Sequence, residues 1–157
     1  GMAGLIAAGV VGVLHLITGR SSLAAWTRGL LISGWAFWVA HFVVSIPATR
    51  LTWGPWIAWG EPRVTMTLQL AGAGLIVLLV TWMVKDARFT AFAAALLAVA
   101  VLWMAASTGV FRHPLDPIGS SPSATFQLVY LALLVPVIGS MALVAWRLST
   151  EAPYETR

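Results

Sequence analysis

Three tryptophans, Trp53, Trp56 and Trp59, recur every third residue in TWGPWIAWGEPRVT, residues 52–65, beside Gly54, Glu61, Arg63 and Thr65. In a short helical turn that spacing sets the rings roughly on one face, and in an extended segment it does not. Gathered on a surface, three indoles make a platform for a flat, apolar, partly charged ligand. Spread over helix ends, they make an ordinary interfacial belt, with each ring half buried and its N–H wet. A second stretch, FRHPLDPIGSSPSA, holds His113 between Arg112 and Pro114. A neutral imidazole there could ligate a metal, and Arg112, Arg63 or Arg50 could pair with a carboxylate of the same ligand, although a lone surface histidine beside a proline is more often without such a role. The remaining histidines, His15 and His41, fall inside apolar runs. A polar side chain at such depth tends to face the bundle interior, and a backbone carbonyl or hydroxyl is its ordinary partner. Glu61 is better read as a partner for an arginine such as Arg63 than as a general base. No residues are placed as a nucleophile and its base.

The elements that hold these residues follow from composition. Of 157 residues, 60% are hydrophobic and 9% charged, and mean hydropathy is +0.91, against roughly 25% charge in an average soluble domain. The chain reads as an integral membrane protein. A bilayer core of ~30 Å needs about 20 apolar residues per helix, and five runs approach this, at 3–19, 29–46, 65–84, 89–111 and 125–147. None alternates as a barrel strand does. The predicted fold is therefore an all-α bundle of five transmembrane helices, a single domain over residues 1–150 with a polar tail at 151–157. Its chemistry-bearing connections are the Trp-rich loop 47–64 and the His loop 112–124. The link KDAR at 85–88 forces helices three and four into a tight antiparallel hairpin. In helix three, the small residues Ala71, Gly72, Ala73 and Gly74 permit close packing of a neighbour.

With no cysteine, thiolate metal sites, covalent haem attachment by this chain and cysteine nucleophiles are excluded. The net charge of +4 says little about nucleic acid, and none is expected as a partner. Its distribution says more: Arg20, Arg28, Lys85, Arg88, Arg147 and Arg157 flank the first and third connections and the C-terminus, while Arg50, Arg63 and Arg112 lie in the alternate loops. Six against three puts the former in the cytoplasm and the Trp-rich and His loops together on the outer face. That topology starts the chain outside, an orientation that one further upstream helix would explain. The first run lacks the basic segment of a signal peptide.

The stretch TWGPWIAWGEPRVTMTLQL resembles the tryptophan-rich signature of the haem-handling family of cytochrome c maturation, the CcmC and CcsA group, whose periplasmic loop reads approximately W-G-x-W-W-x-W-D-x-R-x-T. Trp53, Gly54, Trp56, Trp59, Arg63 and Thr65 match it, Glu61 stands in for the aspartate, Ile57 replaces the middle tryptophan, and Gly60 is an apparent insertion. The order around the motif is similar too: a short charged hairpin follows the next helix, and the helix after that ends in a histidine loop with D-P and S-P pairs, where the family carries an axial haem ligand. The resemblance implies a haem-delivery component of the cytoplasmic (inner) membrane, not an enzyme in its own right. It would present non-covalent b-type haem at the outer face on Trp53, Trp56 and Trp59, with His113 as axial ligand and Arg63 or Arg112 on a propionate. Its partners would be other membrane subunits, a haem chaperone or an apocytochrome c. The family's other external histidine falls upstream, where this chain reads GMAGL. The second ligand is then His41, a partner subunit's residue, a residue of sequence not present here, or none. Two alternatives use other residues: a small b-type cytochrome or quinone-interacting anchor of a respiratory complex built on His15 and His41, and a structural subunit whose tryptophans are only a belt.

Overall fold

A computed structural model describes residues 1–109 and 122–151. Among these residues five helices follow one another: α1 (Met2–Thr18), α2 (Ser21–Trp53), α3 (Pro62–Val84), α4 (Ala87–Ser107) and α5 (Ala124–Glu151). Among the described residues there is no strand. Helices α2 to α5 each contain a span long and apolar enough to cross a membrane, and α1 is a shorter apolar helix. The all-helical fold and the number of helices agree with the hydropathy reading, as a multi-pass membrane protein requires.

The largest departure is in α2. Hydropathy delimits 29–46, yet the helix runs for 33 residues, about 50 Å of rise. Hydropathy marks only the apolar slab, whereas the backbone ladder continues wherever the residues tolerate it. The added turns at each end are built from Ser, Thr, Ala, Leu and Trp together with Arg28, Pro47 and Arg50, and the hydroxyls of Thr27, Ser45 and Thr49 bond carbonyls three or four residues back. Pro47 lies inside the helix, six residues before its end at Trp53.

Helix α2 is the hub, packing against each of the other four, while α1 also packs on α4 and α3 on α4. Contact is close because small residues line the crossings. A Cβ on Gly34 of α2 would stand 2.8 Å from the Leu5 nitrogen and 2.9 Å from the Gly4 carbonyl carbon of α1. One on Gly12 would meet the Ala91 oxygen of α4 at 2.7 Å. On α1 the enclosed residues Gly4, Leu5, Ala8, Gly9, Gly12 and His15 form one stripe, repeating every three or four positions as a helix face must. The core around them is Leu5, Leu31, Trp38, Leu70, Leu97 and Val101.

Two indoles join α2 to α3. Trp35 Nε1–H donates to the Ala71 carbonyl at 2.8 Å and Trp38 Nε1–H to the Thr67 carbonyl at 3.0 Å. The small-residue stretch of helix three thus has two different faces: a Cβ on Gly74 would collide with the Trp35 ring at 2.5 Å, whereas one on Gly72 meets nothing within 4 Å. The α3–α4 link is as tight as KDAR requires. Lys85 takes a left-handed φ of 55° to end α3, and the Asp86 carboxylate caps α4 by accepting from the Phe89 N–H at 2.6 Å.

Candidate functional site

The Trp-rich connection leaves the end of α2 at Trp53 and rejoins the bundle at the start of α3. Between them the chain bends through residues 54–57 and turns at 59–60, so the three-residue spacing of the tryptophans does not fall on one helical turn. Gly54 makes the exit. Its φ is 91° and its N–H closes the last turn on the Arg50 carbonyl at 3.2 Å, a backbone shape that a side chain would strain. Arg50 orders the other side: its guanidinium donates to the Gly54 carbonyl and lies 5.7 Å from the centre of the Trp56 ring, within cation–π range. The group that sequence offered as a carboxylate partner is thus engaged within the loop.

The result is a connection with an apolar, outward surface. Trp56 is 61% and Trp59 66% exposed, and Gly54, Gly60, Arg63 and Thr65 are exposed beside them. The side chain of Trp53 lies outside the described residues. Glu61 goes the other way and is only 1% exposed. Its N–H donates to the Ala58 carbonyl at 2.9 Å and its own carbonyl accepts from Val64 N–H at 3.0 Å, locking the entry to α3, where Pro62 occupies the first turn. Glu61 is thus a buried post under the loop, a role its position beside Arg63 in sequence did not disclose.

Because α3 and α4 form an antiparallel hairpin, α4 returns to the end of the bundle that carries the Trp-rich loop, and α5 departs from it. Gly109 and Pro122, the described residues on either side of the second connection, are therefore at the same end as Trp56 and Trp59. Arg112 and His113 lie outside the described residues.

The histidines inside the slab separate sharply. His15 is 6% exposed, and its Nδ1 lies 2.9 Å from the Arg20 carbonyl. A carbonyl only accepts, so Nδ1 carries the hydrogen. This is the backbone partner expected of a histidine at that depth, and it straps the α1–α2 turn. Its Nε2 is enclosed and finds no partner among the described residues. His41, read as facing the interior, is instead exposed on the surface of α2. Twenty residues of α2 separate it from Ser21 beside the His15 strap, about 30 Å of rise. The two do not share a depth. Among the described residues, no group of three or more His, Asp or Glu is arranged to hold a metal ion.

Comparison of the chain with protein-family models, with curated proteins and with solved structures returns no match.

The loop's shape gives a direct expectation. Gly54→Val should break the exit turn at a cost of about 1–2 kcal/mol, felt mainly within residues 50–61 because a Cβ there meets nothing within 4 Å. Limited proteolysis in detergent should cut this connection several-fold faster than in the wild type while the helical circular dichroism is unchanged. Equal cutting rates would mean that the left-handed exit does not set the loop.

Proposed function

We propose that this chain is a membrane haem-binding and haem-delivery protein of cytochrome c biogenesis. The observation that carries the reading is the pair of exposed indoles, Trp56 and Trp59, on a connection braced by Arg50, Gly54 and the buried Glu61, at the end of the bundle from which the His113 connection also leaves. A solitary belt tryptophan needs no such bracing. The charge count across the connections assigns this end to the outer face of the cytoplasmic membrane.

The residues fit a porphyrin in kind. Trp56 and Trp59 supply flat apolar faces, Arg63 is an exposed cation for a propionate, and the imidazole of His113 is the ligand the resemblance assigns to iron. Trp53, Gly54 and Thr65 complete the motif, and Arg112 is the cation adjoining His113. Haem would supply the redox-active iron that an apocytochrome lacks. The protein's own work is to hold the flat group at the surface, fix its orientation through one imidazole and leave an edge open to an acceptor. Exposure of the indoles is what such a handover needs, since a fully enclosed group could not pass to a partner without opening the fold. His41, outward on α2, is a second-ligand candidate only through a partner subunit.

The alternative based on His15 and His41 as a pair gains no support from their positions: His15 is buried on α1 beside the start of α2, and His41 is exposed on α2 about 30 Å of rise further along.

The test is an absorption spectrum of detergent-purified protein after haem loading. His113→Ala should remove most of the Soret and alpha-band intensity, and His41→Ala should leave it. Trp56→Leu with Trp59→Leu should weaken haem affinity by tenfold or more, taking about 1 kcal/mol per stacked ring. Loss of the bands with His41→Ala alone would replace loop presentation by haem ligated on the outward face of α2, and a colourless wild type would sink both.

A further inference from the structure

The opposite end of the bundle contains a second feature, independent of the tryptophan loop. Trp35 and Trp38 clamp α2 to α3 at Ala71 and Thr67, but beyond that clamp, toward the α3–α4 turn, the helices are separated by a cavity of about 1270 Å³. Its lining is apolar at Leu31 of α2 and at Leu78 and Trp82 of α3. About one turn nearer the α3–α4 link it is basic, with Arg28 of α2, Lys85 and Arg88 at the start of α4, and His15 of α1 also lines it. Asp86 also lines it, but that carboxylate is engaged in capping α4 through Phe89 N–H. Three cations therefore face one committed anion.

Each cation is held differently. Arg28 is half-buried within a helix, whereas Lys85 and Arg88 are exposed at the mouth. Lys85 occupies the left-handed cap at φ 55°, where glycine is the residue that fits most easily, so a lysine there supplies a charge at a conformational disadvantage. His15, tied to the Arg20 carbonyl, holds the α1–α2 turn against the inner side. Trp82 is 68% exposed and continues the apolar lining outward along α3.

We propose that this cavity binds an anionic phospholipid. The phosphate would sit among Arg28, Lys85 and Arg88, and the first methylenes of an acyl chain would lie along Leu78 and Trp82. A soluble anion explains the basic lining alone, and a neutral lipid explains the apolar lining alone. An amphiphile with a phosphate at the slab boundary uses both. The charge count places this end at the cytoplasmic leaflet, where basic pockets between helices meet anionic headgroups. Guanidinium groups suit the phosphodiester because they present paired donors to its oxygens.

The full chain would be purified in neutral detergent with an equimolar mixture of phosphatidylglycerol and phosphatidylcholine, and retained lipid counted by native mass spectrometry. The wild type should retain phosphatidylglycerol at least fivefold over phosphatidylcholine. Arg28→Gln and Arg88→Gln should each lower that ratio at least twofold, and the pair should bring it close to one. Arg28→Lys, which keeps the charge, should restore much of it and shows that a loss is not unfolding. Arg20→Gln, at the same end but outside the cavity lining, should change nothing. Equal retention of the two lipids by the wild type overturns the proposal, as does a loss with Arg20→Gln equal to that with Arg28→Gln. Displacement of the lipid by millimolar inorganic phosphate would also overturn it, by assigning the site to a soluble phosphate.

Discussion

Gly34→Leu should prevent the bundle from assembling as described. The Cβ of any residue at 34 would stand 2.8–2.9 Å from backbone atoms of Gly4 and Leu5. Backbone cannot rotate aside as the end of a flexible side chain can, so α1 and α2 must move apart. Helix α1 is packed on both α2 and α4, so that separation disturbs two contacts together. Overpacking a tight core costs typically about 1–3 kcal/mol and occasionally more, and a side chain driven between two backbones belongs at the upper end. The measurement is residual helicity and monodispersity in detergent as temperature rises. Gly34→Leu should melt far below the wild type or aggregate on extraction, whereas Gly72→Leu, on a face where a Cβ meets nothing within 4 Å, should behave like the wild type. Similar melting of the two variants would mean that the α1–α2 crossing is not as close as it stands here.

Trp35→Ala combined with Trp38→Ala should release α3 from α2 and, with it, the geometry of the tryptophan loop. Trp38 is buried at 8% exposure and belongs to the central core, and the Trp35 ring fills the notch left by Gly74. Removing a buried tryptophan ring costs about 3–5 kcal/mol in soluble cores. A lipid-filled void softens this, because acyl chains are as apolar as the ring they replace. The corresponding Trp→Phe pair keeps an aromatic ring and removes only the two N–H donors. Interhelical hydrogen bonds of this kind average about 0.6 kcal/mol each, so that pair should shift the melt only slightly. The consequence for function is specific. The loop at 54–61 is strung between α2 and α3, so under the proposed haem-binding function the alanine pair should also weaken haem affinity by tenfold or more, although neither residue lies on the loop. Haem affinity unchanged in a folded alanine pair would show that the Arg50, Gly54 and Glu61 braces suffice without the clamp.

Much of this was open to sequence reading, and the division has a physical cause. Five helices, the tight turn at Lys85 and Asp86, and a histidine at position 15 needing a carbonyl partner all follow from local requirements. A span must be apolar over the bilayer thickness, a two-residue link permits only an antiparallel return, and a buried imidazole N–H must find an acceptor. Those requirements act within a few residues of the group concerned. What the tertiary structure alone decided is which side of each helix faces inward. In a membrane, lipid and protein core are equally apolar, so a helix carries no polar stripe to reveal its rotation. Hence His41, expected inward, is outward on α2; Gly74 receives a ring while Gly72, two residues away, meets nothing; and Glu61 is buried though its neighbours Gly60 and Arg63 are exposed. For the same reason the basic cavity was invisible: Arg28 and Arg88 are 60 positions apart in the chain and line one cavity only because the clamp at Trp35 and Trp38 leaves α2 and α3 separated beyond it. Sequence determined the elements and the residues able to do chemistry, and packing between helices decided which of those residues meet.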